Sequence, residues 1–200
     1  MIREVLPGQL AVARSVRRRF PAARFLISAA DEAAARLIEA HRAATQLDAH
    51  IDRDHHAETI RAADLALVAS GTATLEVAYH GTPMIVMYNG SKWGYRLIGR
   101  WLIRIPYLSL VNILAGKPIV PEFMPYDQSP EPIAQQAIEL LLNPQRLARM
   151  RAELQEVIAP QARPGASQAA ANILLDLVQP RARAVRRVQA GGVARDLAVR

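Results

Sequence analysis

The sequence predicts an α/β domain, a parallel sheet flanked by helices with a helical C-terminal extension. Three observations carry this expectation. Apolar runs of strand length, Phe25 to Ala29, Leu65 to Ala69 and Met84 to Tyr88, alternate with segments of helical period. Repeated strand, helix and strand implies right-handed βαβ units, hence parallel strands. Two hundred residues at 51% hydrophobic content suffice to bury a real core.

The elements follow in order. Leu6 to Pro21 is helical, and Pro21 closes it. Phe25 to Ala29 reads as a buried strand. "DEAAARLIEAHRAA" is strongly helical, with Asp31 placed to cap or charge its N-terminus. A short strand near Ala49 to Ile51 precedes a helix of one to two turns in "AETIRAAD" and the strand "LALVA". A helix from Thr72 to about His80 ends at Gly81 and leads into the strand "MIVMY". After "SKWGYRLIGRWLIRIPYLSLVNILAG", the prolines at 118, 121, 125, 130 and 132 predict an extended crossing loop rather than a strand. "PEPIAQQAIELLLN", "PQRLARMRAELQEVIA" and "GASQAAANILLDLV" predict three closing helices. The domain is expected over residues 1–179, with 180–200 a basic tail, disordered or loosely helical around its Gly-Gly break.

Composition removes several classes of function. With no cysteine there is neither a disulfide framework nor a thiolate nucleophile or metal site, and a reducing cytosol fits. Arg3 and Glu4 stand where a signal peptide needs an apolar stretch, and no run reaches the roughly 18 apolar residues of a membrane span. Net charge is +7, but six arginines against one aspartate place +5 of it in the last twenty residues. The basicity therefore belongs to the tail and argues weakly for nucleic acid, and no specific nucleic acid is expected.

The most informative turn is Ser70-Gly71-Thr72. It follows a strand and opens a helix, the place where open parallel sheets bind ligands. Gly71 permits close approach of backbone, the hydroxyls of Ser70 and Thr72 can donate, and a helix N-terminus favours phosphate. Glu76 lies one turn further along the same face, in reach of a polyol such as ribose. Ser70 or Thr72 capping the helix, with Glu76 on a solvated face, explains the same residues. Against that, Glu76 stands between Leu75 and Val77 in an otherwise apolar helix between two buried strands, a costly place for an unpartnered acid.

The stretch from "ADLALVASGTATLEVAYHGTPMIVMY" through "YLSLVNILAGKPIVPEFM" resembles the C-terminal half of lipid-A-disaccharide synthase, a GT-B glycosyltransferase. Four parts occur in the family's order: the "ASGTATLE" turn, a Pro-led strand ending in Tyr88, a basic aromatic helix, and "YLSLVNILAG". The likeness extends over about residues 1–178, and "PGASQAAANILLDL" is similar to the family's closing helix. The resemblance implies a Rossmann-like sheet, the C-terminal half of a GT-B fold. Ser70, Gly71 and Thr72 would then hold the diphosphate of a UDP-sugar, and Glu76 would bond the uridine ribose. Asn112 matches a family asparagine at the active-site cleft, whereas a loop amide bonding its own backbone is the alternative. Tyr88 and Asn89 fall at a strand end facing the cleft, or simply terminate the strand.

The family's reaction moves a diacylglucosamine unit from UDP to the 6-hydroxyl of a glucosaminyl lipid phosphate, with inversion. It needs a general base on the acceptor and donors on the departing diphosphate. The UDP-sugar is a substrate, and neither cofactor nor metal is expected. The resemblance places the base in an N-terminal domain, so no catalytic residue is assigned. "LPGQL" at Leu6 to Leu10 is similar to the family's "LPGSR" loop, but Gln9 and Leu10 replace the two polar partners. The preferred register sets the first thirty residues on the helix after that loop, so the chain is expected to begin just beyond its Arg. Two readings follow. One is the donor half of a lipid glycosyltransferase, working with an N-terminal half or as a homo-oligomer. The other is a non-catalytic remnant or UDP-binding module.

Trp93, Arg96, Arg100, Trp101 and Arg104 give a basic aromatic stripe suited to an anionic membrane surface or a phosphorylated lipid, or a solvated face with buried tryptophans. With lipid substrates, the expected location is cytoplasmic and peripheral on the inner membrane. "HIDRDHHAE" (His50 to Glu58) offers a polar loop, a contact for uracil, or metal ligands, yet its spacing fits no helical His pair. A Ser-His-Asp hydrolase lacks its Gly-x-Ser-x-Gly elbow.

Overall fold

The computed structural model describes residues 2–69, 71–88, 107–123, 129–162, 165–175 and 177. Residues 1–161 form one compact unit and 162–200 a second. In the first unit, helices α1 (Ile2–Arg19), α2 (Glu32–Thr45), α3 (His56–Ala62) and α4 (Ala73–Tyr79) alternate with strands β1 (Leu26–Ser28), β2 (His50–Asp52), β3 (Ala66–Ala69) and β4 (Met84–Met87). Then come α5 (Leu110–Ala115), β5 (Glu122–Phe123), α6 (Glu131–Leu141) and α7 (Pro144–Ile158). Among the described residues all pairings are parallel, as repeated βαβ units require. This is the expected Rossmann-like α/β arrangement with a helical end.

Among the described residues the strands fall into two sheets, β1-β2 and β3-β4-β5. Ala66 donates its amide to Pro83 across the β3-β4 ladder, so the carbonyl of its neighbour Leu67 points the other way. That carbonyl accepts the side-chain amide of Gln9 at 2.9 Å. A side chain of α1 thus meets one carbonyl on the side of β3 that faces away from β4. In the second sheet β4 is central, and all four of its residues are fully buried, as expected of a parallel strand covered on both faces.

α1 serves both sheets. Val5, Val12 and Val16 enter the core of β3-β4-β5, while Leu6, Leu10 and Ala13 enter a second core with Ala34, Ala35 and Ile38 of α2. The helix extends back to Ile2, with Pro7 inside it rather than in its first turn. Leu6 to Leu10 therefore lie inside a helix. Asp31 caps α2 by accepting from Ala34 N at 2.7 Å, and Asn143 caps α7 by accepting from Arg146 N at 3.0 Å. Met150, Leu154 and Ile158 form the buried stripe of α7 at four-residue spacing.

The proline-rich segment corrects one expectation. It contains a strand, since Glu122 and Phe123 pair with Val86 and Met87. Pro121 lacks an amide but its carbonyl accepts Val86 N at 2.9 Å, and Phe123 O accepts Tyr88 N at 3.1 Å. A proline is compatible with an edge strand when only its acceptor is needed.

In the second unit residues 166–175 are helical, and Ile173, Leu174 and Leu175 are exposed there. Among the described residues no helix is long and apolar enough to cross a membrane.

Candidate functional site

β3, β4 and β5 reach their carboxyl ends together: Ala69 lies beside Met87, and Met87 beside Phe123. Gly71 follows the end of β3 with φ +139°, a backbone conformation that side chains with a Cβ rarely adopt. A Cβ there would meet nothing within 4 Å, so the need for glycine is conformational rather than steric. Thr74 locks the turn. Its amide and its Oγ1 both donate to Gly71 O, at 3.2 and 2.8 Å, and its side chain is fully buried. Sequence reasoning passed over Thr74, although a threonine three residues past the glycine is placed to bond back to the turn.

Thr72 gives its carbonyl to Leu75 N and Glu76 N, at 3.0 and 3.3 Å, while its side chain makes no capping bond. The exposed Thr72 hydroxyl is therefore not spent on the helix. Glu76 is exposed too, which corrects the expectation of a desolvated acid. Thr74, Val77 and Ala78 turn inward, and the helical period carries Glu76 to the outer face, one turn from Thr72. Tyr88, at the end of β4, is half-exposed with its amide held by the β5 ladder. Ser70 and Asn89 lie outside the described residues, as do Trp93, Arg96, Arg100, Trp101 and Arg104.

Asn112 sits in α5, 1% exposed, with its amide used in full within the chain. Oδ1 accepts Ile119 N and Val120 N at 2.9 and 3.0 Å. Nδ2 donates to Val120 O at 2.8 Å and to Glu122 Oε1 at 2.6 Å. Glu122 was unremarked in the sequence because it stood among prolines in an expected loop.

The carboxyl ends of β1 and β2 carry a separate polar cluster. Asp52, 6% exposed, accepts from Thr59 Oγ1 at 3.0 Å and from His55 N at 3.2 Å. Burial pushes its pKa up, but those bonds, the Asp54 amide and the charge of His55 together hold it below the usual aspartate value. His56 Nδ1 meets Ser28 Oγ at 2.6 Å and Asp52 Oδ2 at 3.7 Å. Hydroxyl and carboxylate thus share one ring nitrogen, whereas a nucleophilic relay needs them on opposite nitrogens. Among the described residues no three His, Cys, Asp or Glu side chains are grouped to hold a metal ion.

The family model described as lipid-A-disaccharide synthetase matches residues 2–177. A lipid-A-disaccharide synthase of Anaeromyxobacter dehalogenans is 35% identical over 179 residues, covering 89% of this chain and 46% of the relative. Another from Syntrophus aciditrophicus is 43% identical over 122 residues, 61% of this chain and 32% of that protein. A third from Neisseria meningitidis is 40% identical over 140 residues, 67% and 35%. The chain matches less than half the length of each of these relatives. Because the family match runs through every described element, from α1 to the helix at 166–175, this chain belongs to the lipid-A-disaccharide synthetase family.

Proposed function

We propose that this chain is the donor-binding half of a glycosyltransferase of lipid A biosynthesis, one that passes a diacylglucosamine unit from UDP to a glucosaminyl lipid phosphate. Ser70, Gly71 and Thr72 receive the diphosphate, Glu76 bonds the ribose, and Tyr88 borders the sugar end of the cleft. The observation that carries this reading is the Gly71-Thr72 turn: at the carboxyl end of β3, in a glycine-requiring conformation, with a hydroxyl the helix does not use and an exposed carboxylate one turn on. Its exposure favours the reading, because a carboxylate facing solvent can accept two ribose hydroxyls without first paying for burial.

In the transfer the bond from the anomeric carbon to the diphosphate breaks as the bond to the acceptor oxygen forms on the opposite face. The acceptor proton goes to a base, which is assigned to no residue of this chain. The turn's part is to hold the leaving diphosphate as its charge grows. The stripe from Trp93 to Arg104 supplies the contact with lipid phosphate or an anionic membrane surface, giving a peripheral location.

Calorimetric titration with UDP tests the reading. The chain should bind, Glu76→Ala should weaken binding by about tenfold or more, and Gly71→Val should abolish it by forcing the turn out of its conformation. Absence of binding by the unsubstituted chain at millimolar UDP, or equal binding by all three proteins, defeats the donor-site assignment.

A further inference from the structure

Glu122 opens β5 beside Val86, close to the carboxyl end of the sheet, and its carboxylate collects four donors. Leu108 N reaches Oε2 at 3.0 Å. Oε1 receives Ser109 N at 3.0 Å, Ser109 Oγ at 2.5 Å and Asn112 Nδ2 at 2.6 Å. Ser109 is also the N-cap of α5, its Oγ accepting Asn112 N at 3.3 Å. One side chain on an edge strand therefore holds the chain entering α5, the cap of that helix and the buried amide in its first turn. Two successive backbone amides aimed at one carboxylate make an anion nest filled from within the chain.

The chemistry requires an acid at this position. Leu108 N and Ser109 N can only donate, and Nδ2 of Asn112 can only donate. Glutamine has almost the same shape but would set an NH2 group against one of these donors. α5 in turn packs on α4, the helix that the Gly71-Thr72 turn opens, and Val111 anchors α5 in the core with no exposure. The line of contact runs from Glu122 through Ser109 and Asn112 to α5, and from α5 to α4.

We propose that Glu122 is a positioning residue for the candidate donor site: it fixes α5 against the sheet, and α5 fixes α4 and its N-terminal turn. The proposal rests on the donor-site reading for its functional consequence and stands on the geometry for the rest. It also gives Asn112 its part, which is to join Glu122 to the backbone at Ile119 and Val120 and not to touch the nucleotide.

Glu122→Gln tests this through amide hydrogen exchange, UDP calorimetry and thermal melting. The amides of Leu108 and Ser109 should exchange about tenfold faster or more, and the change should spread to Thr74 and Leu75 at the start of α4. UDP affinity should fall by a similar factor while the melting temperature moves by only a few degrees. Should that variant fold poorly, Glu122→Asp keeps the charge but is one methylene short, and it is read in the same way. Unchanged exchange at 108–109, exchange confined to those two residues, or released amides with unaltered UDP affinity would each overturn the proposal. If the unsubstituted chain binds no UDP, the donor-site reading fails by itself, and the spread of exchange into α4, measured without nucleotide, still decides for or against Glu122.

Discussion

Asp52 shows how single residues here are governed by their partners. Its pKa is depressed on folding, so the carboxylate contributes stability that is fully present above the ordinary aspartate value, about pH 4, and is lost as pH falls through the folded value below it. Asp52→Asn should therefore lower the melting temperature near pH 7, and the gap from the unsubstituted protein should shrink as pH drops to about 3. Melts across that range check it, and a gap independent of pH would mean that the ionised form is not what matters. The exposure of Glu76 is decided at this same scale. Its sequence neighbours are apolar, but neighbours along a helix point in different directions, and burial depends on which face the sheet covers.

Among the elements, the start of α2 was the most legible feature. Asp31 before a helical run announced α2, because a short side-chain acceptor at that position satisfies an amide the helix cannot. The opposite end was not legible, for Gln46 adopts φ +54° where glycine is the usual choice. Gln46→Gly should stabilise the protein by about 0.5–1 kcal/mol, removing the strain of a Cβ in that conformation at some entropic cost. Urea unfolding measures this, and a loss of stability would show that the glutamine side chain contributes more than its backbone costs. β5 escaped notice for a different reason. A two-residue edge strand has no period to detect, and the pairing depends on where β4 lies.

At the scale of the whole molecule, α1 makes two cores into one structure. Leu10 belongs to the core with α2 and Leu154 to the core around β4, and both cores close on the same helix. Leu10→Ala and Leu154→Ala should each cost roughly 2–5 kcal/mol. Both should shift one shared urea transition followed by circular dichroism and by amide hydrogen exchange in each sheet. Separate transitions for the two variants would show that the sheets unfold independently. Gln9 belongs to this scale as well: in the sequence it looks like a failed match to a polar loop, and in the fold its side chain bonds a β3 carbonyl.

The sequence by itself determined the alternation of strands and helices, the parallel sense of the sheet, the cap of α2, and the turn after β3, because each is written in local period, local hydrogen-bonding chemistry or a single glycine. It determined the family too, through four motifs kept in order. Only the tertiary structure decided that Glu76 faces outward, that Asn112 is fully occupied within the chain, and that Glu122 gathers the chain entering α5. Those outcomes depend on groups distant in sequence meeting across a sheet, and the hydrogen-bonding capacity of a carboxylate or amide does not reveal which donors will reach it until the strands are in register.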